Sequence, residues 1–274
     1  MTFKTIAIIG AGNMGESLIG GLCQNGYPAD LIWASDTSAQ KLQYLNETYR
    51  IHTVSDNTAA VSSADVVIFA VKPQIFKAVA MDIRDVIFKK RPLIISIAAG
   101  IRTAYIRRLL GDDIALVRAM PNMPACIGCG ATAFYAIETV SVDERNLAES
   151  ILRALGMVVA LPDETALDAV TALSGSGPAY FFHMMASLEN AAIALGLSSD
   201  VAHLLTIQTA LGAARLALES NHSLDELRAS VMSKGGTTEA AINVLEEEQI
   251  SVIYKKAMLA ARTRSQHLAE QLEE

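Results

Sequence analysis

Two glycine-containing segments of this sequence have the residue types and spacing of a chemical site. The first, Gly10–Gly15, reads Gly-Ala-Gly-Asn-Met-Gly and stands between an apolar run and a helical pattern. Glycines at this spacing allow a tight turn, the close approach of a pyrophosphate, and close packing of the helix on the strand. The N-terminus of that helix then offers free N–H groups to the anion. We therefore predict a dinucleotide site formed by Gly10, Gly12, Asn13, Met14 and Gly15.

The second segment, Ser233–Thr238, reads Ser-Lys-Gly-Gly-Thr-Thr and precedes a helical pattern at Glu239–Glu247. Its serine and threonines offer hydroxyls, and its glycines leave backbone N–H groups uncovered, an arrangement that suits a small carboxylate. A related cluster, Leu173–Tyr180, precedes another helix. Each cluster alone could be a turn between helices with ordinary caps. Two such clusters behind a cofactor domain favour a substrate site.

The residues after the second predicted strand bear on the choice of dinucleotide. An acid at the position of Asp36 usually accepts hydrogen bonds from the ribose hydroxyls and favours NAD. Ser35, Thr37, Ser38 and Lys41 could instead surround the 2′-phosphate of NADP. The sequence leaves the choice open, and we expect NADPH to be preferred with NADH still accepted.

The elements that must position these residues change in kind near residue 162. Before it, short apolar runs alternate with helical patterns, which predicts βαβ units and a mainly parallel sheet covered on both faces. The predicted strands are Thr5–Ile9, Leu31–Ala34, Val66–Val71, Leu93–Ile97, Ile114–Arg118, Thr132–Ala136 and Met157–Leu161. The predicted helices between them include Ser38–Thr48, Ile75–Ile87, Thr103–Leu110 and Asp143–Leu155. We predict an α/β chain with a Rossmann-type doubly wound sheet over residues 1–162. An all-helical domain for substrate binding and dimerisation follows over residues 163–274.

The second domain contains a helix with no polar face. Leu204, Ile207, Leu211 and Leu218 follow the spacing of one helix face, but Ala179–Leu195 is apolar almost all round. A helix of that kind must be buried on all sides, and a domain of about 110 residues has few enclosed positions. We expect a second copy of the chain to cover part of this helix.

The composition excludes several classes of protein. With 51% hydrophobic and 19% charged residues over 274 positions, the chain is too apolar for disorder. A net charge of −7 disfavours binding to nucleic-acid phosphates. No uninterrupted apolar run approaches the roughly 20 residues that span a bilayer, and the first residues lack the pattern of a signal peptide. We expect a cytoplasmic protein without a membrane or nucleic-acid partner.

The three cysteines point to a reducing compartment, because they cannot form a framework of disulfides. Cys126 and Cys129 form a single CxxC pair. A zinc site normally needs a second pair of ligands at a workable spacing, and the sequence shows none. We interpret the pair as a chance occurrence and expect no metal site.

Several motifs together resemble the pyrroline-5-carboxylate reductase family, and the resemblance covers essentially the whole chain. The specific part is the order and separation of Ser174–Tyr180 and Gly235–Thr238. Gly10–Gly15, Ala70–Pro73, Ala98–Gly100 and Met120–Pro124 support it. Membership would imply reduction of the cyclic imine 1-pyrroline-5-carboxylate to L-proline by NAD(P)H, the last step of proline biosynthesis. It would also imply homodimers with interlaced helical domains, often assembled into decamers.

The resemblance implies a role for each site residue. Thr238 hydrogen-bonds the ring nitrogen of the substrate, while Ser233, Gly236 and Thr237 hold its carboxylate. Ser35 and Asn57 lie near the adenosine ribose. Ala70, Lys72, Ala98 and Asn122 line the nicotinamide side, and Val71 and Pro73 are further cofactor-binding residues.

The sequence departs from the family pattern at two positions. Lys234 stands where the family usually has proline before the paired glycines, and Met123 stands where threonine is common. The first departure changes the rigidity and the charge of the substrate loop, and an ammonium there could favour a carboxylate. None of the five histidines lies in a glycine cluster. This agrees with an imine that takes its proton from water and needs no strong general base.

Two alternative functions would use the same Rossmann-type domain. A β-hydroxyacid dehydrogenase would place a catalytic lysine on the helix after its second glycine motif, but Ala179–Leu195 contains no lysine. A non-catalytic nicotinamide-sensing protein would need no carboxylate loop at Ser233–Thr238. The loop therefore favours the enzyme.

Overall fold

The computed structural model of the protein describes residues 3–273. The chain divides into two compact units. One comprises the residues up to Ser176 together with those from Ala261 onward, and the other is Gly177–Ala260. The first unit contains all the strands of the described chain, and the second is helical.

The first unit is built on an eight-stranded sheet. Its strands are β1 Ile6–Ile9, β2 Ile32–Ser35, β3 His52–Val54, β4 Val66–Phe69, β5 Leu93–Ser96, β6 Ala115–Met120, β7 Gly130–Ala136 and β8 Gly156–Ala160. Their order in the sheet is β3-β2-β1-β4-β5-β6-β7-β8, and every neighbouring pair is parallel except β6 and β7, which run antiparallel. This confirms the predicted, mainly parallel, Rossmann-type sheet.

Helices cover both faces of the sheet, which explains why its strands are apolar throughout. In β1, Ile6 and Ile8 join one core cluster, whereas Ala7 and Ile9 join the other. The helices of this unit include α1 Asn13–Gln24, α2 Ala39–Tyr49, α3 Asn57–Ser63, α4 Pro73–Lys90, α5 Thr103–Leu110 and α6 Val142–Leu152. Residues of α1, α2 and α6 pack in the first cluster, and residues of α3, α4 and α5 pack in the second.

Two elements of the sheet region were absent from the prediction. The edge strand β3 has only three residues, with His52 exposed, so it produces no apolar run. Its His52 ring stacks on Trp33 of β2 with ring centroids 4.5 Å apart. The short helix α3 follows at once, and Asp56 caps it by accepting a hydrogen bond from the Thr58 N–H. Local sequence patterns do not reveal elements this short.

The first unit extends beyond the predicted boundary at residue 162. It includes α7 (Ala166–Val170), a π-helical turn at Thr171–Gly175, and the last part of α12 (Ile250–Glu273). The Glu164 carboxylate accepts hydrogen bonds from the Thr103 N–H and from Arg118, at 2.8 and 2.7 Å. The Ser265 hydroxyl donates to Asp168 at 2.9 Å. These contacts join Glu164 to α5 and β6, and join the end of α12 to α7.

The second unit has almost no core of its own. It contains α8 Gly177–Ala194, α9 Ser199–Glu219, α10 Leu224–Ser230, α11 Thr237–Glu247 and the start of α12. Among residues 177–260, only Gly177 and Ala202 are buried. The exposed large apolar side chains include Phe181, Phe182, Leu188, Leu204, Leu211 and Ile253. A soluble monomer rarely exposes so much contiguous apolar surface.

One helix of this unit, α9, is long and apolar enough to cross a membrane when judged by length and composition. Its apolar residues are interrupted by polar ones, so it is the mean hydropathy of the helix that is high. Only 6% of its most apolar window is buried in the single chain. Like α8, it therefore needs an apolar surface to cover it.

We predict that light scattering at micromolar concentration gives at least twice the 29.2 kDa mass of one chain. Leu211→Asp should shift this species toward the monomer. Leu211 is exposed on a unit that has almost no core, and a charge there would disfavour the apolar interface typical of obligate dimers. Phe88→Asp is the matched control, since Phe88 is exposed in the first unit by a similar fraction, 67% against 58%. A 29.2 kDa species for the unaltered protein would contradict the prediction.

Candidate active site

The glycine-rich turn joins the carboxyl end of β1, a central strand, to α1, on the edge of the sheet formed by the carboxyl ends of the parallel strands. Gly10 has φ +93°, a conformation that L side chains rarely adopt, and a Cβ there would lie 2.8 Å from Val71 Cγ1. A Cβ at Gly15 would overlap the carbonyl oxygen of Gly10. Both glycines are thus required by the backbone itself, as the sequence predicts for the tight turn and for the close packing of helix on strand.

Gly12 differs from these two glycines, because nothing lies within 4 Å of the position that its Cβ would take. It is the N-cap of α1, and no side chain caps this end of the helix. The first N–H groups of a helix have no partner inside the helix. An open, uncapped N-terminus beside a bare glycine suits an anion such as a pyrophosphate.

The nicotinamide-side residues predicted from the resemblance follow the carboxyl ends of neighbouring strands. Ala70 follows β4, Ala98 follows β5, and Asn122 follows β6. Because β1, β4, β5 and β6 are mutually parallel, these residues lie at the same edge as Gly10. Such an edge is where open α/β sheets bind their ligands. Lys72 is the N-cap residue of α4, makes no side-chain capping hydrogen bond and is exposed, and Pro73 is the first residue of that helix.

The side chain of Asn122 is committed to contacts inside the protein. Its amide N–H donates to the backbone oxygen of Ser174 at 2.9 Å, and its oxygen accepts from the Ala131 N–H at 2.8 Å. Asn122 is only 8% exposed. It therefore joins the end of β6 to the glycine cluster Leu173–Tyr180. The sequence did not predict this bond, because the two partners are 52 residues apart.

The predicted ribose residues lie in contact with each other at the end of β2. Ser35 is fully buried, and its hydroxyl donates to Asn57 Oδ1 at 2.7 Å. The Asn57 amide reaches Asp82 at 3.5 Å. Ser35 thus orients Asn57, which is partly exposed at the start of α3.

Asp36, the next residue, makes two backbone contacts. Its carboxylate accepts from the N–H groups of Ala11 and Ser38, each at 2.9 Å. Lys41, one turn into α2, lies 3.7 Å from the Glu16 carboxylate of α1. The residues that bear on cofactor choice are therefore gathered around the glycine-rich turn.

In the second unit, the segment Ser233–Thr238 forms a turn that opens α11. Gly235 has φ +73°, and the Gly236 N–H donates to the Ser233 carbonyl at 2.9 Å. Thr237 and Thr238 are the first two residues of the helix, which has no side-chain cap. Their N–H groups thus lack partners inside the helix, and this end of α11 offers donors to a carboxylate.

Glu239 is a residue of this turn that the sequence analysis did not single out. Its carboxylate accepts from the Gly235 N–H at 2.6 Å, which holds the turn closed. The signal was a carboxylate three residues after the Gly236 cap, a spacing from which a side chain can reach back to the start of a helix. Glu239 also places a negative charge on the turn next to the threonines.

The three cysteines lie outside the two glycine segments, although Cys126 lines a cavity together with Asn13 and Glu16 of α1. Cys126 and Cys129 are exposed free thiols, with Cys126 in a 3-10 turn at Met123–Ile127. Cys23 is half-buried, and burial raises the pKa of its thiol. Within residues 3–273, no group of three or more His, Cys, Asp or Glu side chains is placed to hold a metal ion.

Comparison with known proteins decides the family. A family model described as pyrroline-5-carboxylate reductase dimerisation matches residues 164–268. A pyrroline-5-carboxylate reductase of Pseudomonas aeruginosa is 46% identical over 272 residues, which cover 99% of each chain. The chain belongs to the pyrroline-5-carboxylate reductase family. This confirms the resemblance seen in the sequence.

Further matches agree with this family. A pyrroline-5-carboxylate reductase of Vibrio alginolyticus is 39% identical, over 98% of each chain. The solved structure of a pyrroline-5-carboxylate reductase from Coxiella burnetii has a TM-score of 0.95 and 44% identity, covering 97% of this chain and 99% of that one. Residues 5–100 also match a model described as NADP oxidoreductase coenzyme F420-dependent.

We predict that Gly12 and Gly15 respond differently to substitution by alanine. Gly12→Ala should keep the fold, because φ −63° and the open space both accept a methyl group. It should raise the Kd for a dinucleotide roughly tenfold or more, about 1.4 kcal/mol, since the methyl group occupies the path of the pyrophosphate. Calorimetric titration measures the Kd, and a thermal melt checks the fold.

Gly15→Ala is the comparison variant for this experiment. It should lower the melting temperature, because the added Cβ overlaps the Gly10 carbonyl. If Gly12→Ala bound the dinucleotide as tightly as the unaltered protein, the anion site would have been assigned to the wrong glycine.

Proposed function

We propose that this chain reduces 1-pyrroline-5-carboxylate to L-proline with NADPH as the hydride donor. The observation that carries the proposal is the open helix N-terminus at Gly12, at the carboxyl ends of the parallel strands, in a chain of this reductase family that matches 99% of a relative's length. When bound, NADPH supplies a hydride from nicotinamide C4 to the imine carbon.

In this proposal residues 1–162 hold the cofactor. The N-terminus of α1 receives the pyrophosphate, with Gly12, Asn13 and Met14 nearest to it. Ala70–Pro73, Ala98 and Asn122 border the nicotinamide, and Ser35 and Asn57 border the adenosine ribose. Their common position at one edge of the sheet supports these roles, as does the family model for an NADP oxidoreductase over residues 5–100.

Residues 163–274 hold the substrate and form the dimer. The substrate carboxylate binds the turn at Ser233, Gly236 and Thr237, while the Thr238 hydroxyl hydrogen-bonds the ring nitrogen. These residues would hold the substrate in one position, and positioning removes much of the entropic cost of bringing reactants together. The imine takes its proton from water, so the site needs no general base.

We also propose that the reaction takes place in the cytoplasm, in homodimers that assemble further into decamers. The free state of Cys23, Cys126 and Cys129 supports a reducing compartment. The apolar helices of residues 177–260 and the match to a dimerisation family support the dimer. Neither a membrane nor a nucleic acid takes part in the proposed reaction.

A spectrophotometric assay tests the proposal directly. Adding 1-pyrroline-5-carboxylate to the protein and NADPH should cause the absorbance of NADPH to fall, with L-proline formed in equal amount. Oxidation of NADPH without L-proline would indicate a different substrate, such as that of a β-hydroxyacid dehydrogenase. Binding of NADPH without turnover would indicate a nicotinamide sensor.

We predict a higher kcat/KM with NADPH than with NADH. The hydroxyls of Thr37 and Ser38 and the Lys41 ammonium are placed around the start of α2, where a 2′-phosphate would find donors. Lys41→Met should lower kcat/KM for NADPH roughly 5- to 20-fold, about 1–2 kcal/mol, and leave that for NADH nearly unchanged. A higher kcat/KM with NADH in the unaltered protein would contradict the prediction.

We predict that Thr238 orients the imine nitrogen and does not act as an acid. A threonine hydroxyl is a poor proton donor at neutral pH but makes one well-placed hydrogen bond. Thr238→Ala should therefore lower kcat/KM roughly 10- to 100-fold, about 1.4–2.7 kcal/mol, which includes misplacement of the ring. The Kd for NADPH should hardly change.

Thr238→Ser is the matched control, because it keeps the hydroxyl and loses only a methyl group. It should retain most of the activity under identical conditions, with the dimer checked by light scattering. Near-normal activity in both variants would show that the hydroxyl is dispensable.

A further inference from the structure

The carboxylate of Asp36 is used inside the protein at the point where a dinucleotide enters. One oxygen, Oδ2, accepts from the Ala11 N–H at 2.9 Å, and the other, Oδ1, accepts from the Ser38 N–H at 2.9 Å. Ala11 stands between Gly10 and Gly12 of the glycine-rich turn and is fully buried. A buried N–H needs a partner, and Asp36 provides it from 25 residues away.

A second bond holds the same turn from the same strand. The Gly10 N–H donates to the Ser35 carbonyl at 2.9 Å. The end of β2 therefore fixes two consecutive N–H groups of the turn, one through its backbone and one through the Asp36 side chain. A hydrogen bond to an ionised carboxylate is stronger than one between neutral groups. The bond from Ala11 to Asp36 therefore restrains the turn more strongly than the bond from Gly10 to the Ser35 carbonyl.

The second hydrogen bond of the carboxylate joins it to Ser38, the N-cap residue of α2. An aspartate that accepts from an N–H two residues later forms a local turn of its own, and Ser38 in turn caps α2 by accepting from the Lys41 N–H at 3.3 Å. Both oxygens of Asp36 are thereby directed at backbone groups, whereas Thr37 and Ser38 remain exposed.

We propose that Asp36 is a positioning residue that fixes the glycine-rich turn, and that it does not select between NADH and NADPH through the ribose. This rests on the proposed use of a dinucleotide. It explains how an acid at the usual NAD position is compatible with NADPH: the carboxylate holds Ala11, and the 2′-phosphate meets the residues after it.

The test is the binding of both cofactors to Asp36→Asn. The asparagine oxygen can accept from Ala11 or from Ser38, but its NH2 group then faces the other N–H. The Kd for NADPH and the Kd for NADH should rise together, each about tenfold, so that their ratio changes by less than about twofold. Trp33, the single tryptophan, lies on β2 three residues before Asp36. Energy transfer from Trp33 to the reduced nicotinamide measures each Kd without turnover.

Asp30→Asn is the matched control, because Asp30 is exposed in the 3-10 turn before β2 and should leave both Kd values unchanged. If Asp36→Asn weakened NADH at least tenfold while NADPH kept its Kd, Asp36 would be a ribose ligand and the proposal would be overturned. No change in either Kd would overturn it as well. Absence of energy transfer in the unaltered protein would instead contradict the use of a dinucleotide.

A measurement on the unaltered protein covers the case in which Asp36→Asn fails to fold. The proposal predicts that the Ala11 amide is protected from hydrogen exchange in the free protein and stays protected when NADPH or NADH is bound. Loss of that protection on binding NADH would mean that Asp36 releases Ala11 to bind the ribose, which contradicts the proposal.

Discussion

The contact between Gly15 and the Gly10 carbonyl is the constraint on which the cofactor site depends. It brings α1 so close to the end of β1 that Gly15 cannot carry a side chain, while φ +93° and the nearby Val71 exclude one at Gly10. As a result the uncapped N-terminus of α1 faces the edge where the parallel strands end. The positive end of the helix dipole and several free N–H groups are then available to an anion.

The second constraint is the missing core of residues 177–260. The helix that carries Thr237 and Thr238, α11, has no buried residue in the single chain. Packing of an apolar face supplies most of the stability of a helix in a protein. The order of the turn at Ser233–Thr238 therefore depends on the surface that covers these helices, and we expect substrate binding at this turn to depend on assembly.

The sequence predicts the sheet and the glycine-rich turn well because both arise from local patterns. Each apolar run before residue 162 became a strand, and Gly10 and Gly15 serve the two steric roles expected of them. The sequence missed β3, which has no apolar run, and it did not reveal that the compact unit around the sheet continues past residue 162 to Ser176. Glu164 belongs to this continuation, and its partners Thr103 and Arg118 are 61 and 46 residues away.

The candidate site shows the same division. The residue types of the two glycine segments indicate anion binding, because free N–H groups at a helix start are a local property. The partners of Asp36 and Asn122 are long-range backbone groups, at Ala11 and Ser174, which no local pattern specifies. Sequence reasoning singled out Asp36 as an acid that favours NAD and left the choice of cofactor open, but it did not predict the bonds of this carboxylate to Ala11 and Ser38.

The central claim is that the protein moves a hydride from nicotinamide C4 to the imine carbon of a ring that carries a carboxylate. Turnover with NADPH that carries deuterium at both C4 positions tests it most directly, with the product analysed by mass spectrometry and NMR. The account predicts L-proline with one deuterium, on the ring carbon bonded to nitrogen and distant from the carboxylate. Unlabelled proline, or deuterium at any other carbon, would contradict it.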